Sequence, residues 1–179
     1  MPAARSSIAR ARAAEVADTR LVVLACGNTA RGDDARGPLV LARIEALGLA
    51  GVTTIEDYQL NIEHALDIED ADLVLFIDAG AGTPAPFSFA EAVADSALSH
   101  STHAIEPPAV LATFTRVFGR PPPPSFVLCP RGEAFDLGAP MSMAAEADLA
   151  AAWDFLRPLL EDIDVGRWRQ ALDQFATVA

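Results

Sequence analysis

The stretch Cys26-Gly27-Asn28-Thr29-Ala30-Arg31-Gly32-Asp33-Asp34 ends a glycine-punctuated loop on two adjacent carboxylates, directly after the aliphatic run 21–25. A second aliphatic run, Leu73–Ile77, stops at Asp78. Carboxylates that converge repel one another unless a cation or a shared proton intervenes, so a pair such as Asp34 and Asp78 suits a metal or acid–base role. Of the three histidines, His103 lies in Ser101-Thr102-His103, just before a helix-like segment. A neutral imidazole beside two carboxylates gives a donor set compatible with a borderline cation such as nickel or zinc. Each residue also has a plainer reading. Asp33 and Asp34 can cap the following helix, Asp78 can satisfy loop amides, and His103 can be a surface or capping residue. His64, beside Glu63, reads as structural.

Several chemistries are excluded. No G-x-G-x-x-G occurs in the loop, and acids stand where a phosphate would approach, so a cation is favoured over an anion. The chain has no lysine, which removes Schiff-base chemistry and the phosphate-reaching lysine of a Walker loop. Its net charge is −12, and a phosphate backbone would be repelled, so no nucleic-acid partner is expected. No apolar run approaches the roughly 18–20 residues of a membrane span, so no membrane partner is expected either. Cys26 and Cys129 are far apart and lack C-x-x-C spacing. They read as small buried hydrophobes at strand ends in a reducing cytoplasm, with Cys–His protease chemistry as the residual alternative.

These residues need a scaffold that brings distant loops together. The run 21–25 gives way to a loop as a buried parallel strand would, and a helix opening at Pro38 carries Leu39, Val40, Leu41, Ile44 and Leu47 until Gly48. Residues 52–56 form a second strand. Asn61 caps a short helix through Ile62, Leu66 and Ile68, and Leu73–Ile77 is a third, strongly buried strand. Residues 87–92 suit an edge strand, and 107–118 a helix burying Val110, Leu111, Phe114 and Val117. A strand at 125–129 and a helix from Ser142 to Leu160, with Leu149, Trp153 and Leu156, follow, and a final short helix lies beyond Asp164.

The alternation βαβαβ requires right-handed crossovers and a mostly parallel twisted sheet of about five strands, flanked by helices on both faces. If the strand order begins 2-1-3, the loops after the first and third strands become neighbours and Asp34 approaches Asp78. Residues 1–20 are rich in alanine and arginine and read as a flexible N-terminal arm. That arm superficially resembles a transit peptide but contains Glu15 and Asp18 and no apolar core segment. Residues 21–179 form a single α/β domain.

Gly27-Asn28 followed by Arg31-Gly32-Asp33-Asp34 resembles the N-terminal signature of nickel-iron hydrogenase maturation endopeptidases. Phe76-Ile77-Asp78-Ala79 and Ser101-Thr102-His103 fall where that family places its other two hallmarks. The segment from Asp57 to Leu66, with Arg131-Gly132-Glu133-Ala134-Phe135, looks like the branch serving cytoplasmic bidirectional, NAD-reducing hydrogenases. The resemblance implies an endopeptidase that reads nickel in a hydrogenase large-subunit precursor and removes its C-terminal extension. It implies Asp34, Asp78 and His103 as contacts to that nickel, and Asp34 or Asp57 as general base. It also implies no permanent cofactor: the nickel belongs to the substrate and is held transiently, with zinc or another divalent ion able to substitute in vitro. One departure stands out, since Ala35-Arg36 precede Gly37 where the family usually has a glycine after the acid pair. A position with φ > 0 would then have to move or be taken by a non-glycine.

Two rival functions fit parts of this pattern. One is a nickel-reading chaperone that cuts nothing; the other is a small-molecule hydrolase or phosphorylase on a similar sheet.

Overall fold

The computed structural model describes residues 19–95 and 105–176. The elements run β1 (Leu21–Cys26), a 3-10 turn (Gly32–Ala35), α1 (Arg36–Ala46), β2 (Val52–Asp57), α2 (His64–Asp67), β3 (Leu73–Ile77) and β4 (Gly80–Ala81). After these come β5 (Phe87–Ala92), α3 (Pro107–Phe118), β6 (Ser125–Gly132), α4 (Met143–Leu160) and α5 (Val165–Ala176). The sheet order is β2-β1-β3-β6-β4, with β5 also paired to β6. All pairings are parallel except β5 with β6. The 2-1-3 beginning that sets the loops after β1 and β3 side by side is present, and the edge strand read at 87–92 is β5, which runs antiparallel to β6.

Strands β1 and β3 are buried along their whole length, because helices cover both faces. Leu21, Val23, Leu73 and Leu75 pack with Val40, Leu41 and Ile44 of α1 and with α4 and α5. The alternate residues Val22, Leu24, Val74 and Phe76 pack with Ala65 and Ile68 beside α2 and with Val110, Leu111 and Phe114 of α3. The period-2 alternation of each strand thus feeds two separate cores, which is why these runs read as continuously apolar.

Several boundaries differ from the sequence reading. Helix α1 starts at Arg36 rather than Pro38, because the preceding 3-10 turn already sets helical dihedrals at Ala35. Leu39, Leu47, Ile62, Leu66 and Val117, expected on apolar faces, are exposed, since each core accepts a narrower stripe than the hydrophobic pattern offers. Asn61 does not cap α2; its Oδ1 accepts from Glu63 N at 3.1 Å, one turn before the helix. Ser142 does cap α4, accepting from Ala145 N at 3.1 Å. The final helix is a full 12 residues. Its Trp168 is wholly buried and donates Nε1–H to Leu159 O at 3.1 Å, while Arg169 pairs with Glu91 on β5.

Of the N-terminal arm, only Thr19 and Arg20 are described; Arg20 is tied to Asp72 through its backbone N–H at 2.8 Å. Among the described residues no helix is long and apolar enough to cross a membrane.

Candidate active site

Parallel strands in the order β2-β1-β3 deliver their carboxyl ends side by side, so Asp57 at the end of β2, the loop after Cys26, and Asp78 just past β3 share one edge. The register is direct: Cys26 pairs with Asp57, and Ala25 with Ile77, the residue before Asp78.

The loop after β1 is held by backbone contacts that only glycine permits. Gly27 has φ 145, and a Cβ there would strike the Asp34 carbonyl. Gly32 takes φ 54, whereas Ala35 and Arg36 are right-handed helical and no non-glycine residue among those described has positive φ. The departure at Ala35-Arg36 therefore costs nothing in backbone strain, because Gly27 and Gly32 carry the positive angles.

Asp33 and Asp34 divide their labour. Asp33 is buried and accepts from Glu133 N (2.9 Å), Ala134 N (3.0 Å), Ser142 N (2.9 Å) and Ser142 Oγ (3.2 Å), clamping the loop to the segment after β6. Burial alone would raise its pKa; the Ser142 and Ala134 amides, the Ser142 hydroxyl and the charge of Arg36 outweigh that and hold it below the usual carboxylate range. Neither acid caps the following turn through its side chain. Asp34 is left half-buried at the edge.

Beneath the loop Arg36 is wholly buried; its Nε donates to Asp33 O at 2.7 Å, and neither Nη1 nor Nη2 has a partner among the described residues. Burial lowers its pKa, against the upward pull of Asp33. Sequence reasoning overlooked it because a lone arginine beside an acid pair looks like a solvated residue.

Asp78 reaches solvent. The protein packed around its carboxyl pushes its pKa up to about 6; the Ala79 amide opposes the rise and the negative charge of Asp34 adds to it. Asp34 and Asp78 are thus electrostatic neighbours, as the 2-1-3 order requires.

Cys26 reports on all three acids at once. Its thiol is pushed up to about 12, by burial first and then by the charges of Asp78, Asp57 and Asp34. Burial raises Cys129 as well, and its Sγ lies 3.3 Å from Thr83 Oγ1. Both thiols stay protonated at neutral pH, which removes the thiolate that Cys–His protease chemistry needs.

Asp57 is the most elaborately held of the three. Oδ1 accepts from Tyr58 N at 2.6 Å, Oδ2 accepts from Asn61 Nδ2 at 3.2 Å, and His64 Nε2 lies 3.5 Å from Oδ2. Together with Gly27, Asn28, Thr29, Glu56 and Tyr58 it lines a cleft of about 270 Å³ between the ends of β1 and β2. His64 is buried, which fits the structural reading, but the sequence alone did not reveal that it touches Asp57. The spacing 57, 61, 64 across a strand-to-helix corner is the signal that was available.

His103 lies outside the described residues, so its place relative to the acids is not part of this geometry. The flanking Asp95 donates its N–H to Pro108 O at 3.4 Å, near the start of α3. Among the described residues no group of three histidine, cysteine or acidic side chains could hold a metal ion.

No protein-family model and no curated protein sequence matches the chain. Solved structures do. The NiFe hydrogenase maturation protease HycI from Thermococcus kodakarensis superposes with TM-score 0.64 at 22% identity, over 83% of this chain and 97% of that one. The hydrogenase maturating endopeptidase HybD from E. coli gives 0.60 at 22% identity, over 80% and 93%. A hydrogenase 2 maturation peptidase from a Thaumarchaeota archaeon gives 0.56 at 25% identity, over 79% and 98%. This chain has the fold of those hydrogenase maturation proteases. The expected single α/β domain with a mostly parallel sheet is therefore the architecture observed.

Proposed function

We propose that this protein is a hydrogenase maturation endopeptidase that reads nickel in a large-subunit precursor and removes its C-terminal extension. The observation that carries the reading is the placement of Asp34 and Asp78 as electrostatic neighbours at the carboxyl ends of β1 and β3, on the fold of known maturation proteases. The loop residues that resemble the family signature are the ones that build this edge.

In this reading the nickel arrives with the substrate, and Asp34, Asp78 and His103 complete its coordination. Only a loaded precursor then places its scissile bond beside a base, Asp34 or Asp57, which activates water. The unshifted backbone at Ala35-Arg36 removes the main reason to prefer a non-cleaving chaperone. The acid-lined edge disfavours the phosphate that a phosphorylase would bind. The two cysteines, both free, suit a reducing cytoplasm, and the hydrogenase served is of the bidirectional, NAD-reducing type.

Incubation with nickel-loaded and nickel-free large-subunit precursor, read by mass spectrometry, tests the proposal. Cleavage of the loaded form alone is expected; equal cleavage of both, or of neither, overturns it. Zinc-loaded precursor is expected to be bound in vitro.

A further inference from the structure

Asn61 N donates to His64 Nδ1 at 3.1 Å, so Nδ1 is an acceptor and the ring proton sits on Nε2. That nitrogen faces Asp57 Oδ2 at 3.5 Å. Oδ2 accepts from Asn61 Nδ2 at 3.2 Å, and His64 Nε2 approaches the same oxygen without a formed hydrogen bond. Oδ1 has one donor among the described residues, the Tyr58 amide, and keeps one lone pair open. The imidazole is buried while its carboxylate partner, with 38% of its side chain exposed, lines the cleft. A buried orienting group behind a solvent-facing acid is the arrangement of a base whose direction is fixed from within.

We propose that His64 is a positioning residue for Asp57, whose Oδ1 is the general base of the cleavage reaction; this rests on the proteolytic reading above. It narrows the choice between Asp34 and Asp57, assigning Asp34 to the metal and Asp57 to water. Water loses a proton to Oδ1 as its oxygen bonds to the scissile carbonyl carbon. When the C–N bond breaks, the same proton passes to the departing amine, and Asp57 is again a carboxylate. At 3.5 Å the Nε2 contact is a close approach rather than a formed hydrogen bond, and in this proposal it shortens to one when substrate closes the site, as catalytic contacts often do.

Two substitutions separate positioning from mere support. His64→Asn keeps an acceptor for the Asn61 amide and loses the donor to Asp57; His64→Gln keeps a donor near Oδ2 and loses that acceptor. With nickel-loaded precursor, His64→Asn is expected to lower kcat by about tenfold or more at unchanged KM. His64→Gln is expected to stay within a few-fold of wild type. No loss in His64→Asn, a larger loss in His64→Gln, or equal losses in both overturn the proposal. Imidazole nitrogen NMR reads the contact without turnover: Asp57→Asn is expected to move the His64 Nε2–H resonance, and an unmoved resonance overturns the proposal. If the wild-type protein cleaves no precursor, the proteolytic reading fails on its own, whatever the NMR shows.

Discussion

Asp33 and Ser142 stand 109 positions apart in the chain, yet the Asp33 carboxylate accepts from Ser142 N at 2.9 Å. That contact, with those to Glu133 and Ala134, closes the loop after β1 against the segment that follows β6. Asp33→Ala leaves three part-buried amides without their acceptor and is expected to cost about 3 kcal/mol. For a chain of this size that is a fall in Tm of about 10 °C. The pH dependence has a definite sign. A depressed folded pKa means the stabilisation is fully present above the ordinary value of 3.8 and is lost as pH falls through the folded value. Thermal melts of wild type and Asp33→Ala are therefore expected to converge at strongly acid pH and to stay separated at neutral pH. A constant separation would show that the clamp does not depend on the carboxylate charge.

Gly37 makes a different demand. A Cβ at this position would collide with the backbone of Cys26, which cannot rotate aside. Gly37→Ala improves helix propensity by about 1 kcal/mol, but forcing α1 away from β1 is expected to cost about 1–3 kcal/mol or more. Net destabilisation, read as a lower urea midpoint, is the expected result; a raised midpoint would mean that the helix shifts without penalty.

The fold was legible because its signals are local. Leu73–Ile77 can only be a buried strand, Pro107-Pro108 and Gly119 bracket α3, and Ser142 announces α4. The convergence of Asp34 and Asp78 was legible one step further on, through the rule that links strand order to loop neighbours. What stayed hidden depends on partners far away in sequence. Asp33 looked like half of an acid pair because its amide donors lie near residues 133–142. Arg36 drew no reading of its own, because nothing adjacent in the sequence announces its burial. His64 looked merely structural because its relation to Asp57 appears only when the chain turns from β2 into α2. Leu39, Leu66 and Val117 misled in the opposite direction, since apolar residues also occur on surfaces.

Cys26 sits among three carboxylates with its thiol pushed up to about 12. At neutral pH it carries no useful fraction of thiolate, so it cannot serve as a nucleophile. Cys26→Ala is expected to retain precursor cleavage within a few-fold while losing about 1 kcal/mol of stability from the trimmed core. Mass spectrometry after brief iodoacetamide treatment of the native protein should show Cys26 unmodified. Rapid alkylation at Cys26, together with lost cleavage in the variant, would revive thiol catalysis.

Asp78 has the opposite linkage from Asp33. Its folded pKa, about 6, lies above the ordinary 3.8, so the native state holds the proton more tightly than the unfolded chain does. Stability contributed by this group is therefore greatest below about pH 4, declines as pH rises towards 6, and is lowest above it. Asp78→Asn keeps an oxygen for the Ala79 amide, which Asp78 Oδ1 accepts at 2.7 Å, while removing the charge that Asp34 opposes. The variant is expected to melt a few degrees above wild type at pH 7.5 and together with it near pH 4. On the nickel reading it is also expected to lose most precursor processing, as are Asp34→Ala and His103→Ala, without loss of the fold, because strand-end loops seldom carry the core. A gain in stability coupled to a loss of processing is what a site that holds like charges apart for an incoming cation should show. Full processing by Asp78→Asn would remove Asp78 from the metal, and a lowered Tm in all three variants would show that these side chains serve the fold instead.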